Sequence, residues 1–208
     1  MIIKSTTFIK SSTKLKDCPP FYKPEYAFIG RSNVGKSSLV NMLTGNGKLA
    51  KVSGRPGKTQ TINHFLINEN WYLVDLPGYG WARISDSQRK EWKVMIDNYL
   101  YNRENLMVIF VLIDSRIPPQ KIDVEFVNHL GENGIPFVLV FTKADKQSRV
   151  KTDQAVANFK NALKETFEEM PDIFITSSET DLGKEDILSY IERVNNLFVI
   201  PPDKQIIE

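Results

Sequence analysis

A chain of 208 residues, 41% hydrophobic and 25% charged, has enough apolar side chains for one sizeable core and is short for two ordinary domains. Its formal net charge of +2 is too small to argue for nucleic-acid binding from charge alone. The single cysteine, Cys18, excludes an internal disulfide, a thiolate zinc cage and a paired-cysteine redox motif, so a reducing, cytoplasmic setting is expected.

Residues 1–24 hold no sustained helical or strand period, and Pro19, Pro20 and Pro24 forbid a continuous helix. An extended lead-in is therefore expected, followed by one domain over 25–199 and a short tail over 200–208. The start, MIIKSTTFIKSSTKLKD, breaks its apolar residues too often for a signal sequence. No apolar run reaches membrane-spanning length, so no membrane association is expected.

Tyr26-Ala27-Phe28-Ile29 predicts a buried strand ending at Gly30, and Ser38 to Leu43 resumes with helical character. Gly45 to Thr61 is rich in Gly, Lys, Ser and Thr, has few apolar side chains to bury, and is expected to be mobile. His64-Phe65-Leu66-Ile67 and Trp71-Tyr72-Leu73-Val74, separated by Asn68-Glu69-Asn70, predict a hairpin. Further strands are predicted at Leu106 to Ile113, Pro136 to Phe141 and Ile173 to Thr176. Helical patterns occupy Ser87 to Tyr101, Gln120 to Leu130, Asp153 to Phe167 and Lys184 to Phe198. The alternation predicts an α/β fold: a mostly parallel sheet with one antiparallel edge strand, helices on both faces, and ligands at the carboxyl ends of the strands.

Gly30-Arg31-Ser32-Asn33-Val34-Gly35-Lys36-Ser37 matches G-x-x-x-x-G-K-[ST] between a predicted strand and a predicted helix, the context in which that motif cradles phosphates. Its glycines let successive N–H groups turn inward, and the following helix adds its positive end. Lys36 would reach the β- and γ-phosphates, and the Ser37 hydroxyl would ligate Mg²⁺. Thr142-Lys143-Ala144-Asp145 follows an apolar strand at the sheet end where a base should lie. A carboxylate at Asp145 accepts from both N1–H and the exocyclic amine of guanine, whereas adenine would leave it unpaired; such complementarity rejects a mismatched analogue by roughly 10⁴-fold or more. Asp75-Leu76-Pro77-Gly78 gives D-x-x-G at the end of a strand, with Asp75 placed for a Mg²⁺-bound water and the Gly78 N–H for the γ-phosphate. In Gly57-Lys58-Thr59-Gln60-Thr61 either hydroxyl could reach Mg²⁺, and the residues alone do not choose between the threonines.

In order, GRSNVGKS, GKTQ, DLPGYG, TKAD and SSE resemble the EngB (YihA/YsxC) family of ribosome-assembly GTPases, of the translation-factor-related class, from about Tyr26 to Phe198. The specific parts are GRSNVGKSSL, PGKTQT and DLPGYGWA; GTPases in general share only the looser motifs. The resemblance implies a P-loop NTPase of Ras-like fold with GTP and GDP as ligands. It selects Thr59 as the Mg²⁺ and γ-phosphate threonine, and places Thr176-Ser177-Ser178 as the loop beside the base. It also implies association with the large ribosomal subunit, its rRNA and its proteins, during assembly. A monomer is expected.

Lys36, Thr59 and Asn33 are the catalytic candidates, and Ser37, Thr59 and Asp75 the metal ligands. Tyr79 stands where Ras-like enzymes carry the water-orienting glutamine, so slow intrinsic hydrolysis is expected. Asn33 matches the loop asparagine of related GTPases that use K⁺, although asparagine also enters turn geometry readily for its own sake. Gly45 to Thr61 and Tyr79 to about Arg89 are the expected switch regions. Lys48, Lys51, Arg55, Lys58, Arg83 and Arg89 offer charge to rRNA phosphates there, and Trp81 a stacking surface. Two rivals are an ATP-dependent phosphotransferase, which gives no reason for Thr142 to Asp145, and a non-hydrolysing RNA-binding scaffold, which gives none for intact Lys36, Ser37, Asp75 and Asp145.

Overall fold

A computed structural model describes residues 1–47, 49, 61–79 and 85–200, and the side chain of Asp86 is not among them. The central strand β2 (Glu25–Gly30) is buried along its whole length, as its unbroken apolar run demands. Its parallel neighbours are β4 (Trp71–Asp75) and β5 (Leu106–Asp114), and β6 (Phe137–Thr142) and β7 (Ile173–Ile175) continue the parallel sheet beyond β5. On the other side β3 (Ile62–Ile67) pairs antiparallel with β4, and β1 (Thr6–Ser12) pairs antiparallel with β3. The order is β1-β3-β4-β2-β5-β6-β7. The expected mostly parallel sheet with an antiparallel edge is present. Its outermost strand comes from the lead-in, where the apolar residues are too few to announce a strand; β1 is largely exposed and owes its shape to pairing.

Period-two alternation sends neighbouring residues of β2 to opposite faces. Tyr26 and Phe28 pack with Phe110 against α1 (Lys36–Thr44) and α5 (Lys184–Asn195), through Leu39, Leu43, Ile187 and Ile191. Phe28 and Phe110 stack with ring centroids 4.7 Å apart. Ala27 and Ile29 face α2 (Asp86–Asn102), α3 (Lys121–Glu132) and α4 (Arg149–Leu163), through Ile96, Tyr99, Val127, Leu130 and Phe159. The expected helix over Asp153 to Phe167 starts earlier, at Arg149, because the Ser148 hydroxyl caps it by accepting from the Lys151 N–H at 3.4 Å.

The β3–β4 hairpin turns through Asn68 and Glu69, with φ of 49° and 58°. Two left-handed residues in succession match the twist of the flanking strands. The Asn68 side chain also binds the lead-in: its Oδ1 accepts from the Lys4 N–H at 2.6 Å and its Nδ2 donates to the Ile2 carbonyl at 2.7 Å.

Candidate functional site

The parallel strands β2, β4, β5 and β6 end on one side of the sheet, at Gly30, Asp75, Asp114 and Thr142. The phosphate loop that follows β2 closes on Gly35 and is met closely by Gly78. Gly35 caps α1 at φ 107°, a conformation that side chains rarely adopt. Gly78 approaches so near that a Cβ there would lie 2.6 Å from the Gly30 carbonyl oxygen. The D-x-x-G segment is thereby pressed onto the phosphate loop, and the Tyr79 N–H donates to the Gly30 carbonyl at 3.2 Å.

Lys36 pairs with the Asp75 carboxylate. Thr61, the one described residue of the Gly57 to Thr61 motif, donates its hydroxyl to Asn63 Oδ1 at 2.9 Å, next to Asp75. Gly57, Lys58, Thr59 and Gln60 lie outside the described residues, as do Lys48, Lys51, Arg55, Trp81 and Arg83. Arg89 is exposed on α2. Ser32 and Asn33 are exposed, Arg31 and Ser37 half-buried, and Val34 turns its side chain into the core. Leu76 is buried, and its N–H donates to the Phe28 carbonyl at 3.0 Å. Pro77 accepts at its carbonyl from the Trp92 indole N–H at 3.2 Å.

The second motif is fastened to the first. The buried Thr142 hydroxyl donates to the Val34 carbonyl at 2.6 Å, and the Lys143 ammonium donates to the Asn33 carbonyl and, at 2.9 Å, to Asp114 Oδ2. Arg116 grips the same Asp114 carboxylate with Nε at 2.9 Å and a terminal nitrogen at 2.8 Å. Burial pushes the Asp114 carboxyl up, but Arg116 and Lys143 outweigh it and hold the group well below the usual carboxylate range.

Asp145 has Lys146 at 2.9 Å and accepts from the Ser177 hydroxyl at 2.8 Å; Lys146 first, then Ser177 despite some desolvation, hold its carboxyl below the ordinary value. It is therefore ionised at neutral pH, as an acceptor pair for guanine must be. The Ala144 N–H donates to the Thr176 carbonyl at 3.1 Å, which joins this segment to Thr176-Ser177-Ser178. Thr176 itself is buried, with its hydroxyl on the Phe141 carbonyl at 3.1 Å, and Ser178 is half-buried.

Several residues around the site were not singled out by sequence reasoning. Asp114 had a signal: it closes an apolar strand as Asp75 does. Asp123 and Phe126 on α3 had none beyond an i, i+3 spacing. The Arg31 Nε donates to both Asp123 oxygens at 3.0 Å, and the Tyr79 ring stacks on Phe126 at 4.7 Å. Tyr79, the residue in the glutamine's place, is buried with its side chain directed at α3. Its hydroxyl is buried beside the Asp123 carboxylate.

The chain is similar to known proteins in sequence and in fold. Residues 25–143 match the family described as 50S ribosome-binding GTPase. The probable GTP-binding protein EngB of Christiangramia forsetii is 56% identical over 94% of this chain and 99% of its own. That of Porphyromonas gingivalis is 56% identical over 94% of this chain and 97% of its own. Among solved structures, a probable GTP-binding protein engB superposes with a TM-score of 0.64 at 26% identity, covering 84% of this chain and 100% of that one. Translation elongation factor SelB from Methanococcus maripaludis, in complex with the GTP analogue GppNHp, gives 0.61 at 18% identity over 88% of this chain. This chain spans only 36% of that longer protein, and the likeness is one of fold.

Proposed function

The chain belongs to the EngB family of GTP-binding proteins and carries their GTPase domain; from that premise we propose that it is a slow GTP-dependent switch acting in assembly of the large ribosomal subunit. The observation that carries the nucleotide half is the convergence of Lys36, Asp75, Lys143 and Asp145 at one end of the sheet, tied together by Thr142 and Lys143. The ribosomal half is supported by the family's description as ribosome-binding.

In this reading the backbone N–H groups of the loop from Gly30 to Ser37 wrap the phosphates, and Lys36 exchanges Asp75 for the β- and γ-phosphate oxygens. Asp145 accepts the guanine N1–H and amine, with Ser177 holding the carboxylate in place. Ser37 and Asp75 offer only hard oxygen donors. That set fits Mg²⁺, which takes one or two protein ligands beside substrate phosphates. Ser37 and Asp75, with Thr59, would hold the ion, which neutralises phosphate charge when bound. Gly57, Lys58 and Gln60 would frame Thr59.

The packing of Tyr79 onto Phe126 supports the slow rate, because the side chain in the glutamine's place offers nothing to an attacking water. Turnover of about 1 per second or more, without partner or K⁺, would refute it. Asn33 sits at φ 63°, a region asparagine enters readily, so the loop conformation alone accounts for it. Potassium stimulation is then a separate property: equal hydrolysis in KCl and NaCl, for the native chain and Asn33→Ala, would remove it.

Among the described residues no helix is long and apolar enough to cross a membrane. We place the protein in the cytoplasm as a monomer that meets rRNA and ribosomal proteins in its GTP-bound form. Co-sedimentation with ribosomal particles, in GDP and in a non-hydrolysable GTP analogue, tests this: binding to large-subunit particles is expected with the analogue. Failure to bind in both states would end the assembly reading while leaving the GTPase intact.

A further inference from the structure

We propose that Asp123 is a positioning residue for GTP hydrolysis: with Phe126 on the same face of α3, it forms a seat that locks the start of the segment after Gly78 against the phosphate loop. The inference rests on the GTPase activity of the family, and hydrolysis by the unaltered chain tests that activity separately.

Three observations carry it. Asp123 is 1% exposed and spends both carboxylate oxygens on the Nε of Arg31, whose neighbours form the phosphate cradle. Phe126, three residues on and so on the same helix face, stacks against Tyr79. Arg31 and Tyr79 meet each other in turn through an isolated parallel bridge, and the Tyr79 N–H rests on the Gly30 carbonyl. The phosphate loop and the segment leaving Gly78 are thus each held twice, once by one another and once by a helix anchored in the core through Val127 and Leu130.

The chemical consequence follows from which contacts the seat controls. In the proposed reading ground-state affinity comes from Lys36, the loop backbone and Asp145, and Asp123 reaches that set only through the Arg31 side chain. What the seat sets is the separation between the phosphate loop and Gly78, whose N–H must meet the γ-phosphate as charge develops. Displacements of about 1 Å in such a constellation can cost about 10²-fold in rate. The Tyr79 ring stacks on Phe126, and its buried hydroxyl lies beside Asp123 on the same helix. Its place therefore depends on the wall that α3 presents.

The test compares the full chain with Asp123→Asn and Phe126→Leu. The readings are single-turnover GTP hydrolysis, KM for GTP and GDP affinity, with thermal melting alongside. Each variant is expected to lower the single-turnover rate about tenfold or more while KM and GDP affinity stay within about threefold, the signature of an interaction needed only in the transition state. A rate within threefold of the native one would overturn the proposal. A parallel fall in rate and GDP affinity would also overturn it, since that is what general loosening of the site produces. Should Asp123→Asn fail to fold, with Arg31 left facing a neutral amide, the same thresholds applied to Phe126→Leu decide the question.

Discussion

The two ends of the parallel sheet handle charge in opposite ways. At the carboxyl end, Lys36, Asp75, Lys143 and Asp145 form ion pairs within reach of solvent, beside backbone drawn close at Gly35 and Gly78. At the amino end, Glu25 is fully buried. It accepts from Arg103 and, at 2.7 Å, from the Tyr99 hydroxyl; Arg103 donates onward to the Pro19 carbonyl at 2.7 Å; and the His64 ring lies 3.4 Å away. In the proposed reading one end gives up its internal partners to a ligand, and the other keeps them. A buried carboxylate with a planar guanidinium and a phenol has no cheaper state available, whereas a half-buried lysine can trade a carboxylate for a phosphate at little cost.

The sharpest way to break this contrast is at the ligand end. Asp145→Ala removes the carboxylate proposed to read guanine, and a loss on the order of 10⁴-fold in GTP over ATP discrimination is expected from competition binding. Melting of the unliganded protein should hardly move, because Ser177 and Lys146 lose only an exchangeable partner. If discrimination survives, the base is read elsewhere.

Next in size is Arg103→Ala at the closed end. It strands the buried Glu25 carboxylate, and such losses cost roughly 3–5 kcal/mol. Chemical denaturation should show that destabilisation, while nucleotide affinity in the folded fraction stays native. A destabilisation below about 1 kcal/mol would mean that water or His64 replaces the guanidinium.

The same cluster sets an acid limit. Burial pushes the Glu25 carboxyl up, but Arg103 and His64 outweigh it and bring its pKa down to about 2. The native state therefore prefers the charged form more strongly than the unfolded chain, whose glutamate titrates near 4.3. The sign follows: this stabilisation is fully present above about pH 4.3 and is lost as pH falls towards 2, and it amounts to roughly 3 kcal/mol. Denaturation free energies measured across that window should show the slope, and Arg103→Met should flatten it. An unchanged slope in that variant would assign acid sensitivity to other carboxylates.

The contrast also explains what could be read in the sequence. Motifs at the open end are local: Gly30 to Ser37, Asp75 to Gly78 and Thr142 to Asp145 each sit on consecutive residues, because a phosphate or a base is met by one loop at a time. The strands beneath them are equally legible, since burial on both faces writes unbroken apolar runs such as Ala27-Phe28-Ile29. The closed end joins Pro19, Glu25, His64, Tyr99 and Arg103 across 84 residues of chain, and no spacing announces it. Asp123 and Phe126 escaped for the same reason, as they matter only through Arg31 and Tyr79. β1 was missed because an edge strand with one exposed face needs few apolar residues. The early start of α4 turns on a single cap at Ser148.

The smallest expected effect gives the finest test of the difference between the ends. Ser177 donates to Asp145 at 2.8 Å and accepts from the Glu179 and Thr180 N–H groups at 3.2 and 3.3 Å. Ser177→Ala removes all three bonds without adding volume. One net hydrogen bond is worth about 1 kcal/mol, so GDP affinity should weaken about fivefold as the Asp145 carboxylate loses its orientation. The melting temperature should fall by no more than about 12 °C, at most about 4 °C for each of the three bonds in a domain of this size. The loss should also be larger for GDP than for a nucleotide that does not engage Asp145, such as ATP. If the variant instead melts far lower while binding GDP normally, Ser177 belongs with the closed end as a structural tie.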